Sequence, residues 1–358
     1  MKYLNRIFIT LFLLLLISPK FSFAQEDILE YLKNFKISTY VDVYYAYDTD
    51  KKENYTTRQY STLSPYRNEF RLNIAQISFK YNTDKIRGIT TLQYGDIPNA
   101  NWIPPYTNSQ FIQEANIGFS PYKNLWIDAG YFLTHIGNES MPKNNYFSTF
   151  AFPVYFEPFF QSGVKIGYVF SEKFYACLHI LNGYNQFEDN NKNKSLGLQL
   201  AYAPNQKIKF TYNNIIGNEQ PTGITGKLRV FNNLIINASP NKKIELVGNF
   251  DFCSQEGSKI SDPNASAYTY GATVSGRYTF CPCFNSSLRG EFFQDLDGVL
   301  NGSPIRGNGI TASIEYKPVD AAYLRLEYRF LNLGSDNKIF YENNNKRHEA
   351  VLSFGFEY

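Results

Sequence analysis

The chain has 358 residues, of which 35 are Lys or Arg, 32 are Asp or Glu and 17% are aromatic. Three of the basic residues and none of the acidic ones lie in the first 24 residues, so the rest of the chain carries 32 charges of each sign. A formally neutral chain gives no support for a nucleic-acid partner, because phosphate binding depends on an excess of Lys and Arg.

The first 24 residues have the three parts of a secretory signal peptide. Lys2 and Arg6 flank the start of an apolar run over 7–17, and small residues around Ala24 form a cleavage site. We predict a signal peptide over 1–24, since an uncleaved anchor would need a longer apolar core. Apolar residues at helical spacing then predict a short periplasmic segment over 25–35, with an amphipathic helix. That segment is too short for the plug domain of an energy-coupled transporter.

No run of eighteen apolar residues follows the signal, so the sequence predicts no transmembrane helix. A secreted chain that crosses a membrane without helices has to form a closed β-barrel, because every backbone polar group needs a partner there. The 29 Tyr and 31 Phe residues fit such a barrel, in which aromatic rings lie at both membrane interfaces.

Segments in which apolar and polar residues alternate recur along the rest of the chain. In the clearest, 324–330, Leu and aromatic residues alternate with Arg325, Glu327 and Arg329, so we expect that charged face to be wet. The segment 69–81 changes phase near Ile74, which predicts a β-bulge. Sixteen segments begin near residues 36, 69, 86, 111, 125, 161, 174, 194, 207, 226, 243, 267, 286, 307, 322 and 346.

The links between these segments alternate in length. Seven are short turns, and eight are long links over residues 48–68, 96–110, 135–160, 185–193, 217–225, 254–266, 295–306 and 333–345. Outer-membrane barrels have this pattern, with short periplasmic turns and long extracellular loops. We therefore predict an all-β fold, a transmembrane outer-membrane β-barrel of about 16 antiparallel strands over residues 36–358.

The last nine residues, 350–358, form a strand with one apolar face that ends in Phe354, Phe356 and Tyr358. A C-terminal aromatic residue on such a face resembles the signal that the barrel-assembly machinery reads. We predict this role for the three rings. A hydrophobic strand in a soluble sandwich is the alternative for this peptide taken alone.

Four short motifs resemble a known family. They are Gly130-Tyr131-Phe132 leading to Gly137-Asn138-Glu139, Asn144-Asn145-Tyr146-Phe147-Ser148, Asn182-Gly183-Tyr184-Asn185, and Asp189-Asn190-Asn191 before Lys194-Ser195. Over most of its length the chain is similar to the OmpL-like putative β-barrel porins of Bacteroidetes-type outer membranes. The resemblance implies a porin-like barrel in the outer membrane of a Gram-negative bacterium, and it implies no established substrate.

Catalysis is not expected from the three histidines, His135, His179 and His348. They are scattered along the chain, whereas a lipid hydrolase needs a serine and a histidine close together. His179 is predicted to point into the barrel, where a solvated pore residue is the simpler interpretation. No Gly-x-Ser-x-Gly motif is present either. We predict that the protein is not an enzyme and has no cofactor.

Cysteine spacing does not predict a metal site. Cys281 and Cys283 flank Pro282 in a predicted periplasmic turn, whereas Cys177 and Cys253 lie on separate strands. A structural zinc site needs four converging ligands, and the turn supplies two. A disulfide between the two turn cysteines is left open.

The third long link, 135–160, is rich in aromatic residues, and long loops in compact proteins are usually functional. By resemblance to sixteen-stranded porins, we predict that it folds into the lumen and constricts it. The alternative is an extracellular cap or a contact with a neighbouring subunit. The predicted constriction residues are Tyr146, Phe147, Phe150, Phe152, Tyr155 and Phe156.

A barrel of this size leaves a water-filled bore unless it is plugged. We predict a passive channel for small hydrophilic solutes or ions, with outer-membrane lipid and the barrel-assembly machinery as partners. A homo-oligomer is left open. The alternative is a surface barrel that displays its long loops for binding or adhesion. The predicted pore lining, in which Arg residues modestly outnumber carboxylates and favour anions, is Arg71, Arg87, Glu114, Asp128, Arg229, Glu245, Arg277, Arg289, Glu291, Glu315, Arg325, Glu327 and Arg329.

Overall fold

Sixteen antiparallel strands close into one barrel, in which each strand pairs with its neighbours in the chain and β1 pairs with β16. The computed structural model describes residues 33–50, 56–102 and 109–358. The strands are β1 Phe35–Asp48, β2 Phe70–Asn82, β3 Ile86–Tyr94, β4 Ile112–Tyr122, β5 Leu125–Leu133, β6 Phe160–Ser171, β7 Phe174–Leu181, β8 Ser195–Asn205, β9 Ile208–Asn218, β10 Leu228–Asn241, β11 Ile244–Gln255, β12 Ala267–Cys281, β13 Phe284–Asp295, β14 Ile305–Val319, β15 Ala322–Leu333 and β16 Lys346–Glu357.

The predicted fold class, strand count and strand positions are confirmed. The predicted bulge is also present, because β1 pairs Asp42 with Ile74 but the next residue, Val43, with Leu72. Ile74 itself, at the change of phase, is buried inside the barrel. The predicted signal peptide lies outside the described residues, as does most of the predicted helix over 25–35, and at its end Phe35 already belongs to β1.

All eight long connections leave one end of the barrel. We number them in chain order as L1 (49–69), L2 (95–111), L3 (134–159), L4 (182–194), L5 (219–227), L6 (256–266), L7 (296–304) and L8 (334–345). L2 contains a short helix, α1, Asp96–Asn101, and L3 contains two 3-10 turns, Pro142–Asn144 and Val154–Phe156. L8 contains a third 3-10 turn, Tyr341–Asn343. Among the residues that the structure describes, no helix is long and apolar enough to cross a membrane.

The outer face of the barrel is apolar, as the alternation predicted. Leu326 on β15 is 52% exposed on this face, whereas its neighbour Arg325 is 1% exposed on the inner one. Rings cluster on the outer face beside the short turns, for example Tyr278 and Phe280 at 4.8 Å between centroids. An apolar band edged by aromatic rings is the surface that a barrel presents to lipid and to the membrane interface.

Candidate functional site

L3 leaves the wall between β5 and β6, crosses the lumen and binds the opposite wall. The backbone N of Ser148 and the Oγ1 of Thr149 both donate to Glu327 on β15, each over 2.5 Å. Further along, the backbone N of Phe152 donates to Oε2 of Glu291 on β13 over 2.8 Å. The loop is therefore held in the lumen by carboxylates that project inward from distant strands.

Arg325 makes the densest set of contacts with L3. Its guanidinium donates to the carbonyl oxygens of Asn145 at 2.8 Å and Phe147 at 2.9 Å, and to Oε2 of Glu315 at 2.6 Å. Hydrogen bonds from a charged donor in a buried site are among the strong ones. The face of β15 that was expected to be wet is instead packed against L3, because the backbone carbonyl groups of L3 point at that face and accept hydrogen bonds from it.

L1 enters the lumen beside L3 and closes a network of buried charges. Arg58 of L1 lies 2.7 Å from Glu349 on β16, and Arg347 lies 2.9 Å from the same carboxylate. On β15, Arg329 pairs with Glu291 over 2.7 Å. All these side chains are withdrawn from solvent. Such a network holds the loops in one arrangement, because removing either partner leaves an unpaired buried charge.

The predicted lining residues thus fall into two sets. One set is enclosed beneath L3, and we call it the covered wall: Arg289, Glu291, Glu315, Arg325, Glu327 and Arg329. The other set lies elsewhere around the barrel: Arg71, Arg87, Glu114, Asp128, Arg229, Glu245 and Arg277. The prediction that both sets face water is wrong for the covered wall, because a loop from the far side of the barrel covers it.

In the second set, Arg87 makes a two-point contact with Asp128 over 2.5 and 2.6 Å, and Arg71 binds Asp96 at 2.6 Å near the long-loop end. Glu245 accepts from the hydroxyl of Tyr146 over 3.2 Å. Arg229 donates to Gln255 of β11, and Arg277 pairs with Glu315 of the covered wall. Glu114 interacts electrostatically with Lys80 and Lys165.

Four inward lysines lie on β1, β2, β6 and β9, outside the covered wall, and we call them the lysine wall: Lys36, Lys80, Lys165 and Lys209. Lys36 on β1 lies directly opposite Lys80 on β2, and Lys165 on β6 lies opposite Asp128. Lys36, Lys80 and Lys209 are exposed. Sequence reasoning missed this set, although the inward phase of each lysine beside an outward apolar residue would have found it.

Most of the predicted constriction rings are buried inside the barrel. Phe147, Phe150, Phe152 and Phe156 are each at most 7% exposed. Tyr155 is 36% exposed and meets Tyr60 of L1 edge-on at 5.3 Å, while Tyr146 lies against the Arg277 guanidinium at 4.8 Å. The apolar partners from L1 and L2 were missed by sequence reasoning, and they are Leu63, Ile97 and Trp102.

Glu157 anchors the returning half of L3. Its Oε1 accepts from Nδ2 of Asn249 over 3.0 Å, and its carboxyl group lies beside Asp251 on β11. Burial, together with the negative charge of Asp251, raises the pKa of Glu157 well above its usual range. Gly137, with φ +80°, leaves the space that this carboxyl group occupies, because a Cβ there would overlap it. Glu157 therefore takes up a proton more readily in the docked loop than an ordinary glutamate does.

A second L3 acid, Glu139, is bound from both sides. Its Oε1 lies 3.0 Å from Nη1 of Arg289, and its Oε2 accepts from the backbone N of Ala151 over 2.8 Å. Burial raises the pKa of Glu139, and Arg289 opposes that shift. Glu139 therefore closes L3 on itself while it binds the covered wall.

The histidines are buried or structural. His135 of L3 stacks on His179 with 3.9 Å between ring centroids, and burial lowers the pKa of His135. His348 meets the hydroxyl of Tyr328 through Nδ1 at 2.7 Å. His179 points inward as predicted, and its contact with His135 had no sequence signal.

Cys177 and Cys253 are buried, and the sulfur atoms of Cys281 and Cys283 are 2.7 Å apart in the β12–β13 turn. Within residues 33–50, 56–102 and 109–358, no group of three or more His, Cys, Asp or Glu side chains is placed to hold a metal ion.

A comparison with protein families matches residues 34–358 to the family described as putative beta-barrel porin-2, OmpL-like. The chain belongs to this family. The suspected resemblance is confirmed. The location is the outer membrane of a Gram-negative bacterium, and the membership supports a channel for passive diffusion. The adhesion alternative finds no support. A comparison with curated proteins gives no match.

Solved structures show the same fold at low sequence identity. OprB of Pseudomonas putida aligns with a TM-score of 0.61 and 9% identity over 94% of this chain and 96% of that chain. An anion-selective porin from Comamonas acidovorans has a TM-score of 0.59 and 10% identity over 90% of this chain and 99% of that chain. OmpT of Vibrio cholerae has a TM-score of 0.60 and 11% identity over 90% and 97% of the two chains.

Proposed function

We propose that this family member is a non-enzymatic channel for small hydrophilic solutes, in which L3 narrows the bore and solutes pass along the lysine wall. The observation that carries the proposal is the contrast in exposure inside one barrel. Arg325 and Arg329 on the covered wall are at most 1% exposed, whereas Lys80 and Lys209 are exposed. Water and solutes meet the exposed side chains, so these set the electrostatics of the route.

The exposed lysines favour anions for a simple reason. The arginines of the covered wall are neutralised by carboxylates at contact distance, as in the pairing of Arg329 with Glu291 at 2.7 Å. By contrast, the ion pairs of the described residues include none with Lys36, Lys80, Lys165 or Lys209. We expect a weak anion preference that falls as salt rises, because exposed charges are screened over about 8 Å at physiological ionic strength.

Reversal potentials in planar bilayers under a KCl gradient test the selectivity. Replacing the four lysines together by Gln should move the reversal potential toward that of a cation-preferring pore. The matched control replaces four lysines of the short turns by Gln, which removes the same charge outside the bore: Lys85, Lys123, Lys173 and Lys207. An equal shift in both variants would contradict a route along the lysine wall, and the absence of channel activity would contradict the proposed function.

The stacked histidines support the non-enzymatic part of the proposal. His179 is 3% exposed, and its ring packs on His135 inside the barrel, away from the lipid face that a lipid hydrolase would use. We expect His179→Gln to leave the conductance and the absence of phospholipid hydrolysis unchanged. Hydrolysis of labelled phospholipid by the native protein, and its loss in His179→Gln, would overturn this part.

We also propose Phe354, Phe356 and Tyr358 as the signal for the barrel-assembly machinery. Phe354 and Phe356 lie on the outer face, 47% and 43% exposed, and the Tyr358 side chain is 85% exposed at the chain end. Tyr358→Ser should lower the amount of heat-modifiable barrel recovered from outer membranes. Normal recovery would remove the targeting role, and Tyr341→Ser, a change in L8, is the control.

A further inference from the structure

A cavity of about 590 Å³ lies among the long loops, above L3. Residues of L1, L2, L3, L4 and L7 line it, together with Arg229 at the start of β10. A larger groove of about 710 Å³ lies between Leu246, Leu288 and Leu326, on the apolar outer face that a barrel presents to lipid. The cavity among the loops is of the size that holds small organic ligands, and it lies at the end of the barrel from which the long loops leave.

The chemistry of the cavity is a combination of rings and amides. Tyr155, Phe159 and Tyr184 supply aromatic surface, whereas Asn101, Asn185, Gln186, Asn190 and Asn301 supply carboxamides. Its formally charged side chains are Arg229 and Glu157, and Glu157 is already bound by Asn249 in the loop anchor. A lining of this kind suits a neutral ligand that has both apolar faces and hydroxyl groups.

Two of these groups keep donors for a ligand. The Oδ1 of Asn185 accepts from the backbone N of Phe159 over 2.8 Å and of Phe160 over 3.2 Å, which fixes the amide and leaves Nδ2. In Arg229, Nε donates to Oε1 of Gln255 over 2.8 Å and Nη2 donates to the carbonyl oxygen of Val299 over 3.4 Å. The third nitrogen of the guanidinium, Nη1, remains as a donor for a ligand. In the hydrogen bonds of the described residues neither donor has an acceptor, so each can bind a hydroxyl oxygen.

Tyr155 supplies the exposed ring. Its neighbours Tyr60 and Phe156 both meet it edge-on, at 5.3 and 5.1 Å between centroids. Its own side chain is 36% exposed, more than any other aromatic residue of L3. The fixed edge contacts hold the ring in one orientation, so that a ligand can pack on it without a large loss of side-chain entropy.

We propose that this cavity, at the entrance of the channel inferred above, is a binding site for short neutral oligosaccharides. A sugar ring has C–H groups on its faces and hydroxyl groups around its edge. The faces pack on Tyr155, and the hydroxyls bind the amide of Asn185 and the guanidinium of Arg229. Weak binding at the mouth raises the local concentration of the solute and selects it for passage, since a site for conduction has to release its ligand as well.

Calorimetric titration of the detergent-solubilised full barrel with maltotriose, lactose and cellobiose tests the site. We expect saturable binding of at least one sugar, weakened about three- to tenfold in Tyr155→Ala and retained in Tyr155→Phe. Tyr341→Ala is the matched control, since Tyr341 is 40% exposed in a loop that does not line the cavity. Heat-modifiability confirms that each variant is folded.

Single-channel recordings separate this inference from the proposed function. The same sugar added on the loop side should interrupt the ion current at concentrations at which polyethylene glycol of equal radius does not. Binding without any conductance would remove the channel and leave the site intact. A conducting barrel that binds none of the three sugars, or binding that is unchanged in Tyr155→Ala, would overturn the site.

Discussion

The covered wall and the lysine wall have the same backbone and nearly the same alternation, but they have opposite surroundings. Arg325 of the covered wall is 1% exposed and makes contacts with two L3 carbonyls under 3 Å. Arg87, beside the lysine wall, has a side chain that is 39% exposed and meets one carboxylate, Asp128. The comparison shows that in a wide barrel a loop, and not the strand, decides whether a lumenal charge is a structural anchor or part of a solute route.

Removal of L3 should have the largest effect. Deleting residues 138–159 should raise the single-channel conductance several-fold, because the loop and its buried rings no longer occupy the bore. The anion preference should change little, since Arg289, Arg325 and Arg329 would face water together with the carboxylates that neutralise them. Planar-bilayer recordings measure both quantities.

Deletion of residues 258–264 in L6, which is exposed outside the lumen, is the control for the loss of a loop. Unchanged conductance in a folded variant that lacks residues 138–159 would mean that these rings do not obstruct the bore.

The next comparison is between two arginine substitutions. Arg325→Leu should lower the free energy of unfolding by about 3–5 kcal/mol, because it leaves Glu315 and the L3 carbonyls with unmet hydrogen bonds in a buried site. Arg87→Leu should cost less, about 1–2 kcal/mol, because the Arg87 side chain is 39% exposed, although that of Asp128 is 5% exposed. Denaturant unfolding in lipid measures both. Equal losses would mean that L3 does not depend on the covered wall.

A substitution on the other face of β15 checks the orientation of that wall. Leu326→Arg should lower the free energy of unfolding by roughly 2–4 kcal/mol if the residue lies near the bilayer midplane, because the charge would face lipid. The conductance of the folded fraction should not change. Leu326→Ile is the control, and an altered conductance without a loss of stability would place Leu326 in the lumen.

The smallest effect concerns pH. The pKa of Glu157 is raised in the docked loop, so docked L3 binds more protons than free L3, and its stability falls as the pH rises above the usual pKa of Glu. The charged groups that face Glu157 are Asp251 and Glu139, and both add negative charge. The urea midpoint should therefore be lower at pH 8 than at pH 5.

Glu157→Gln should reduce this pH dependence, because Gln keeps an acceptor for Asn249 without a charge. Glu172→Gln, in an exposed short turn, should leave it unchanged. A wild-type midpoint that rises between pH 5 and pH 8 would contradict the raised pKa of Glu157.

Strand starts were predicted to within two residues, as with the thirteenth segment, expected at 286 and found at 284. Alternation and turn chemistry are local, so they survive in the sequence. The site was predicted only in part. That Arg289 points inward follows from its phase, but its burial depends on Glu139, 150 residues away in the chain.

The predicted anion preference also depends on contacts between residues that are distant in the chain. Counting inward arginines gave a reason for it, yet those on the covered wall are paired, and the exposed charge comes from lysines that the count omitted. Whether a charge is free depends on its partners, and in a barrel these come from non-adjacent strands and from loops. Side-chain period does not carry that information.

The sequence by itself determined the barrel, the number of strands, the end from which the long loops leave and the face that meets lipid, because each follows from a two-residue period and the spacing of turns. Only the tertiary structure decided which half of the lumen L3 covers and where the loops leave a cavity. The physical reason is that a long loop finds its place through a few distant hydrogen bonds and ion pairs, such as that between Thr149 and Glu327, whose energy depends on geometry rather than on local pattern.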